Sequence, residues 1–240
     1  MPRSLKTEGI VLRSLRYGEA DRILHLYTPD RGRVGAIAKG VRRARSRFGG
    51  RLEPFFRLNL VLYEGRGELL TVTSAETVAA HPRLRDDARA LDGAARACEA
   101  VARVFDDGDP HAGVYHLLAN QLALLDREPA RATRANALAF RLKLLLAAGF
   151  APQLAACAAC GDQDQVVGFS GAAGGVVCTA CEASAFPLDQ EAHDFLVAAL
   201  AQPLAEAPDA SPRALQQAER AILETLEHHA HLRLRPLGRG

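Results

Sequence analysis

The sequence lacks a segment that could cross a membrane, because it has no apolar run of about 18 or more residues. It also lacks an apolar signal segment at its start, where residues 1–6 lead directly into a strand pattern. We therefore expect a cytoplasmic protein. In that compartment thiols stay reduced, and paired cysteines bind metal more often than they form disulfides.

The usual residue patterns of catalytic sites are missing too. The sequence has no phosphate-binding loop, no nucleophile beside a general base, and no carboxylate pair with a reason to lie in a cleft. Its Gly174–Gly175 pair indicates a turn and is not a dinucleotide-binding fingerprint. The sequence therefore predicts a protein that is not an enzyme.

Acidic residues are absent from residues 31–51, a stretch that Asp30 and Glu53 bracket. The basic residues of this stretch number eight: Arg31, Arg33, Lys39, Arg42, Arg43, Arg45, Arg47 and Arg51. Interspersed glycines let the backbone turn and approach another surface closely. Such a run favours an anion-binding surface, since a solvated helix face usually mixes charges of both signs. A loop that only improves solubility is the alternative.

The charge is also distributed unevenly between two predicted domains. Residues 1–80 carry 15 Lys and Arg against 8 Asp and Glu, a net of +7. Residues 81–240 carry 15 against 20, a net of −5. A chain of 240 residues is long enough for one or two domains. We expect a boundary near residue 80 and a polyanionic partner for the first domain.

Five short strands are predicted in the first domain. Their ranges are Thr7–Leu15, Arg22–Thr28, Arg33–Lys39, Phe55–Tyr63 and Glu68–Ser74. The fourth is the clearest, because leucines at 58, 60 and 62 follow the two-residue period of a strand. So many strands in about 75 residues leave no room for crossover helices. The expected fold is a five-stranded OB-fold barrel, with an SH3-like barrel as the main alternative.

Helical patterns follow from residue 81 onward, which predicts an α-helical second domain. The predicted helices are Arg85–Phe105, His111–Leu125, one capped by Thr133 and running to Ala148, Asp189–Ala201, and one from Ser211–Pro212 to about His231. Gly149 is where a glycine after a helix end belongs. The leucines at 138, 142, 145 and 146 form an apolar stripe and are predicted to lie in the core.

Four of the five cysteines form two Cys-x-x-Cys pairs: Cys157, Cys160, Cys178 and Cys181. Two such pairs, 17 residues apart, are typical of a four-thiolate zinc site. A site with four protein ligands has no open position and is structural. We predict one structural Zn²⁺ per chain in an embedded finger at residues 152–185. A redox dithiol, two disulfides and an iron–sulfur cluster are the alternatives. Cys98 is interpreted as a core residue.

Aromatic residues and histidines are two further kinds of candidate ligand-binding group. Tyr17, Phe48, Phe55 and Phe56 could stack on nucleic-acid bases, and we expect Phe48 to be the exposed one. The side chains of the adjacent residues Phe55 and Phe56 cannot both point out of a barrel, because successive strand residues point to opposite sides. The histidines at 228, 229 and 231 cannot all face one metal ion on a straight helix and are interpreted as surface residues.

Several motifs together resemble the RecO family of bacterial recombination mediators. In the first domain they are Gly9–Leu12, Tyr17–Leu24, Gly32 with Ala38–Arg43, Leu52–Phe55, Glu68–Leu70 and Ala75–Glu76. In the second they are Leu146–Leu154, the pair Cys157 and Cys160 with Gly161, Phe169, and Gly174–Cys178 with Cys181. The resemblance covers about residues 5–190. Not every member keeps four cysteines, so the zinc prediction rests on the residues of this chain.

The resemblance implies an N-terminal OB-fold, a helical domain with a zinc finger, and a DNA-repair role at the nucleoid. It implies binding to single- and double-stranded DNA, annealing of complementary strands, and binding to RecR. It further implies contact with the tail of single-stranded DNA-binding protein, so that RecA can load. For that acidic tail, Arg134, Arg141 and Lys143 are candidate contacts, although ordinary solvated charges fit them equally well.

Two other classes of protein fit part of the sequence. One is a zinc-ribbon transcription or translation factor with an OB domain that binds nucleic acid. It has the same charge and zinc features but not the family motifs. The other is a structural scaffold with incidental basic charge, which would bind polyanions without accelerating strand annealing.

Overall fold

The computed structural model describes residues 3–43, 46, 48–65, 67–163, 166–229, 231 and 233–237. The chain divides into two compact units, Met1–Pro129 and Ala130–Gly240. The first unit contains a β-barrel and two helices, and the second contains three helices and a small three-stranded sheet. No helix among the described residues is both long and apolar enough to span a bilayer.

Five strands close into a barrel at the start of the first unit. They are β1 Arg3–Tyr17, β2 Asp21–Thr28, β3 Gly32–Ala38, β4 Arg57–Glu64 and β5 Leu70–Ala79. Their order around the barrel is β1-β2-β3-β5-β4, with β4 paired back to β1. Only the closing contact of β3 with β5 is parallel. This confirms the OB-fold prediction. Each predicted strand is present, although the predicted bounds differ by a few residues.

The long first strand allows the barrel to close. β1 pairs with β4 along Arg3–Ile10 and with β2 along Ile10–Tyr17, so it belongs to both walls of the barrel. Between Val11 and Arg13 the register with β2 shifts by one residue. A bulge of this kind bends a strand and increases its twist, which is what a strand at a barrel corner requires.

The barrel interior is filled by apolar side chains from all five strands and from the segment between β3 and β4. The buried residues of this core are Val11, Leu24, Leu26, Ala36, Ala38, Phe48, Leu52, Leu58, Leu60, Leu62, Val72 and Ala75. The leucines at 58, 60 and 62 all point inward, as their alternation predicts. Phe48 and Leu52 are the members that no strand supplies.

Two helices, α1 Ala88–Val104 and α2 Ala112–Arg127, complete the first unit. The predicted start of α1 is too early, because the Asp87 side chain accepts hydrogen bonds from the amides of Arg89 and Ala90 and caps the helix there. Cys98 is buried in α1, as predicted.

One polar cluster joins α2 to the barrel wall. The Tyr115 hydroxyl donates to Glu8 Oε2 at 2.7 Å, and Arg57 Nη2 lies 2.8 Å from the same oxygen. The hydrogen bond from Tyr115 and the contact with Arg57 hold the pKa of Glu8 below its ordinary value. The helices therefore pack on the barrel of their own unit through specific polar contacts as well as apolar ones.

The second unit is built on three helices, α3 Arg134–Ala147, α4 Gln190–Ala201 and α5 Pro212–His229. The predicted cap of α3 is correct, because the Thr133 hydroxyl accepts a hydrogen bond from the Asn136 amide. The Asp189 carboxylate caps α4 in the same way, since it accepts from the Ala192 amide.

Gly149, just beyond the end of α3, has a φ of +80°. The predicted leucine stripe of α3 is wrong at one position, since Leu146 is 52% exposed at the end of the helix.

Between α3 and α4 the chain forms a small sheet. Its strands are β6 Val166–Ser170, β7 Gly175–Cys178 and β8 Phe186–Pro187, in the order β7-β6-β8. Backbone hydrogen bonds from Gln153 to Gly174 and from Val176 to Gln153, each 2.9 Å long, attach the preceding segment to β7. This sheet is the scaffold of the four cysteines.

Candidate nucleic-acid interface and cysteine cluster

The segment between β3 and β4, residues 39–56, has an inward and an outward side. Phe48 and Leu52 are each 1% exposed and lie in the barrel core, and Val41 packs against the same core. These apolar residues alternate with basic ones along the chain. Of the basic residues of this segment that the structure describes, Lys39, Arg42, Arg43 and Arg51 are exposed, while the apolar residues are covered by the core.

Three of the predicted DNA-contacting residues form an open basic group. Lys39, Arg42 and Arg43 are exposed, and among the described residues none of them has an ion-pair partner. Arg51 is also exposed, and its Nη1 lies 3.4 Å from the carbonyl oxygen of Phe48. Lys39, Arg42 and Arg43 are therefore cations that a phosphate could approach without displacing a carboxylate.

The other basic residues of the run differ from this group. Arg33 is held inside the unit, because its Nε pairs with Asp107 at 2.5 Å and its Nη1 donates to the carbonyl of Ala102 at the end of α1. Arg31 is half-buried in the turn between β2 and β3. Arg45 and Arg47 lie outside the described residues. Arg33 is therefore already paired within the unit, and its predicted contact with DNA stays a prediction.

Close backbone packing explains the position of Arg33. Gly32 has a φ of +61°, and a Cβ at that position would lie 2.0 Å from the carbonyl oxygen of Asp109. The turn between β2 and β3 is thus packed against residues 106–109, where Asp107 meets Arg33. Only glycine permits this approach.

The β1–β2 turn joins the basic group through two hydrogen bonds. The Gly40 amide donates to Asp21 Oδ1 at 2.8 Å, and the Arg42 amide donates to the Ala20 carbonyl at 3.0 Å. The tip of this hairpin, with Arg16 and Tyr17 exposed, therefore lies beside Lys39–Arg43. Sequence separation hides this neighbourhood, because about 20 residues lie between the two turns.

The prediction that Phe48 is exposed is wrong. Phe48 lies in the barrel core and has no free face for a base. Phe55 is buried too, and the Arg85 guanidinium lies 5.3 Å from the ring centroid of the partly buried Phe56. Of the four aromatics that were candidates for stacking, only Tyr17 is open, at 54% exposure.

The four paired cysteines converge on one point in the second unit. The Sγ atoms of Cys157, Cys160, Cys178 and Cys181 all lie within 4.8 Å of one another. The Cys160 and Cys178 sulfurs are 3.7 Å apart. A tetrahedral zinc site with Zn–S bonds of about 2.3 Å has sulfur–sulfur edges of about 3.8 Å. None of the five cysteines forms a disulfide in this structure. The four thiols can hold a metal ion.

The backbone around the cluster favours thiolates at one side of it. Hydrogen bonding from the Cys178 amide, aided by the Cys160 amide, lowers the pKa of Cys157 to about 6. The neighbouring sulfurs of Cys160 and Cys178 raise the pKa of Cys181 to about 12. Four thiolates so close together repel one another unless a cation lies between them. A bound divalent metal would supply that charge.

Knuckle geometry presents the first sulfur pair. The Gly161 amide donates to the Cys157 carbonyl at 2.8 Å, and Gly161 has a φ of +81°. This tight turn directs both sulfurs of the Cys-x-x-Cys pair to one side. The finger also contacts α5, where His229 Nε2 donates to the Gly171 carbonyl at 2.8 Å. The one metal-ligating cluster found among the described residues is the cysteine cluster.

The three candidate contacts on α3 are occupied within their own unit. Arg141 is 5% exposed, and its guanidinium contacts Glu219 of α5 and the carbonyl of Arg235. Arg134 pairs with Glu219 at 2.6 Å. Lys143 Nζ donates to the Leu200 carbonyl, and burial lowers its pKa. Arg141 is therefore not a solvated charge of a binding groove, which corrects that expectation. Contacts by Arg134 and Lys143 stay predictions.

Comparison with protein families gives two matches that together span most of the chain. The family described as recombination protein O, N terminal, matches residues 1–81. The family described as recombination protein O, C terminal, matches residues 85–237.

Curated relatives agree. The DNA repair protein RecO of Rubrobacter xylanophilus is 41% identical over 224 residues, which cover 91% of this chain and 88% of the relative. The protein of the same name from an Anaeromyxobacter species is 37% identical over 243 residues, covering 98% and 94%. That of Bifidobacterium animalis is 42% identical over 175 residues, covering 72% of each.

Proposed function

This chain belongs to the RecO family of DNA repair proteins, and from that membership we propose that it binds DNA through its barrel. The proposed contacts are the open basic group Lys39, Arg42 and Arg43, together with Arg45, Arg47 and Arg51 of the same run in the sequence. The observation that supports this is the exposure of three cations without ion-pair partners among the described residues. Charges held for the fold would be paired, as Arg33 is.

Guanidinium groups suit this task, because their fork of donors matches the oxygens of a phosphate. Contacts with phosphates are independent of base sequence, so single and double strands both bind. Annealing of complementary strands then requires only that two polyanions be screened and held close. We propose that the protein acts in this way, by binding and without catalysis.

The four cysteines are proposed to hold one structural Zn²⁺. Thiolate ligands and tetrahedral spacing favour zinc, and a site with four protein ligands leaves no position for a substrate. The role of the metal would be to hold the finger together.

Family membership is also the basis for the proposed partners. We propose that the protein works with RecR and engages single-stranded DNA-binding protein, so that RecA can load on coated DNA. We keep a domain boundary near residue 80 as part of this proposal, with a DNA-binding barrel before it and a helical domain after it. A protein with this role acts on the nucleoid, in the cytoplasm.

Charge reversal tests the proposed interface. In Lys39→Glu, Arg42→Glu, Arg43→Glu, we expect the affinity for a fluorescein-labelled oligonucleotide to fall by about two orders of magnitude or more at low salt, because phosphate attraction becomes repulsion. Fluorescence anisotropy measures this for single strands and duplexes, and annealing of complementary oligonucleotides should slow in parallel.

The matched control reverses three exposed arginines of the helical part of the same unit, Arg83, Arg89 and Arg127. It changes the net charge by the same amount, so it should lose much less affinity than the triple variant. Equal losses for the two variants would mean that net charge decides binding and that the open basic group is not the interface.

A further inference from the structure

We propose that Tyr17 is a base-stacking residue that makes the barrel favour unpaired DNA over duplex. This inference rests on the proposed function, because it adds to the phosphate-binding group a residue that touches bases. It assigns the β1–β2 hairpin tip to the interface. The neighbouring basic group supplies attraction to any DNA, and the ring supplies discrimination between strands and duplex.

Local structure holds the ring out of the barrel. Tyr17 is the last residue of β1, opposite Asp21 of β2, and Gly18 follows with a φ of +53°. This tight turn ends the strand at Tyr17, so the hairpin has no further residue pair beyond Tyr17 that could cover its ring. Tyr17 is 54% exposed, more than any other tyrosine or phenylalanine among the described residues. An apolar ring left in water at a hairpin tip favours covering by a flat partner.

Two hydrogen bonds place the basic group beside this ring. The Gly40 amide donates to Asp21 Oδ1, and the Arg42 amide donates to the Ala20 carbonyl. The two residues that accept these hydrogen bonds, Ala20 and Asp21, follow Tyr17 by three and four positions. A phosphate held by Lys39 or Arg42 therefore has its nucleotide at the hairpin tip.

Of the two arginines nearest to Tyr17 in the hairpin, one is neutralised by an acidic residue and the other by none that the structure describes. Arg22, one pair beyond Tyr17 in the hairpin, is neutralised by Glu53 at 3.0 Å. Arg16 next to Tyr17 is exposed and has no ion-pair partner among the residues that the structure describes. The tip thus offers a ring with a free cation beside it, the combination that binds single strands in other proteins.

Stacking on a side chain is available only to a base that has left its own stack. In a duplex each base already has two neighbours, whereas a single strand exposes base faces to any flat partner. Tyr17 therefore adds affinity for single strands and little for duplex. The basic group adds affinity for both, since both carry phosphates.

Substitution of Tyr17 separates the two contributions. In Tyr17→Ala, we expect affinity for an unstructured oligonucleotide to fall about five- to one-hundred-fold and affinity for duplex to stay within about twofold of the unsubstituted protein. Tyr17→Phe keeps the ring and should restore single-strand binding. The matched control is Tyr63→Ala, which removes a 38% exposed tyrosine from β4 and should change neither affinity.

The opposite direction is testable at the same tip. Glu19 is exposed two residues after Tyr17 and faces DNA with the wrong charge if the tip is part of the interface. Glu19→Gln should raise affinity for single strands and lower the salt concentration dependence only slightly. Photocrosslinking to an oligonucleotide that contains 5-iodouracil should attach the DNA to Tyr17.

The outcomes for the ring and for the proposed function are distinct. Equal single-strand affinities for Tyr17→Ala and the unsubstituted protein, with binding still lost in the Lys39, Arg42 and Arg43 reversal, would refute stacking and keep the basic interface. Loss of single-strand and duplex binding together in Tyr17→Ala would also refute it, because the residue would then be structural. An unsubstituted protein that binds no DNA would overturn the proposed function itself.

Discussion

At the residue scale, Arg141 shows how a charged side chain can belong to the fold. It lies on α3 at 5% exposure, with Glu219 of α5 in contact and the carbonyl of Arg235 2.7 Å from its Nη2. Glu219 in turn accepts hydrogen bonds from Arg134 and from the amide of Leu237. Burying a charge is costly unless it is paired and hydrogen-bonded, and here both conditions are met. The cluster fastens the tail after α5 to α3.

Removal of one member should destabilise the second unit. In Arg141→Ala, we expect the free energy of unfolding to fall by about 3 kcal/mol, because Glu219 loses one of its two cations while it stays buried. Urea unfolding followed by circular dichroism at 222 nm measures the change, since the helices of this unit contribute to that signal.

An exposed ion pair of the same unit gives the comparison. The Arg213 side chain is 79% exposed and pairs with Asp189 at 3.3 Å. Arg213→Ala should cost less than about 1 kcal/mol, because solvent already screens that pair. A loss in Arg141→Ala no larger than in Arg213→Ala would contradict the structural role of the buried cluster.

At the scale of elements, the finger depends on its sulfurs more than on a core of its own. Its strands β6, β7 and β8 have five, four and two residues. Among the described residues, the buried members of the cluster around the sulfurs are Cys157, Val177 and Cys178. So small an apolar core supplies little stability, and metal binding energy is then folding energy.

Metal removal should therefore unfold the finger and spare the barrel. All four tyrosines, at 17, 27, 63 and 115, belong to the first unit, so tyrosine fluorescence and near-ultraviolet dichroism should stay constant when a strong chelator is added. Hydrogen exchange should accelerate in residues 152–185. Elemental analysis before treatment should give one zinc per chain, and metal-free protein with a protected finger would contradict the proposal.

Sequence patterns predicted most elements because their causes are local. The alternation at 58, 60 and 62 and the cap at Thr133 depend on near neighbours, and the structure confirms them. Phe48 depends instead on where a long connection folds back. The residues around it are turn formers and arginines, so no periodicity indicates that its ring enters the barrel.

The proposed DNA interface could be predicted only in part from the sequence. Lys39, Arg42 and Arg43 stand out by composition, whereas Tyr17 becomes their neighbour through hydrogen bonds between two turns. In the sequence Arg33 looks equivalent to these residues. In the folded chain it pairs with Asp107, which lies 74 residues later. Pairings between distant residues are a property of the folded chain, and one sequence does not reveal them.

At the scale of the whole molecule, the uneven charge bears on the proposed binding of DNA. The net charge of the entire chain is only +2, so general attraction to a polyanion is weak. Binding must then come from cations that are concentrated in one place, and such binding releases counterions in proportion to the phosphates contacted.

Salt dependence counts those contacts. The proposed phosphate contacts are six: Lys39, Arg42, Arg43, Arg45, Arg47 and Arg51. If each neutralises one phosphate, a plot of the logarithm of single-strand affinity against the logarithm of salt concentration should have a slope of about −4. In Lys39→Ala, Arg42→Ala, Arg43→Ala, the slope should shrink by about 2, because three phosphate contacts are lost. Tyr17→Ala should lower affinity without changing the slope, since stacking releases no counterions. Anisotropy titrations at five salt concentrations measure all three slopes, and an unchanged slope in the triple variant would exclude these residues as phosphate contacts.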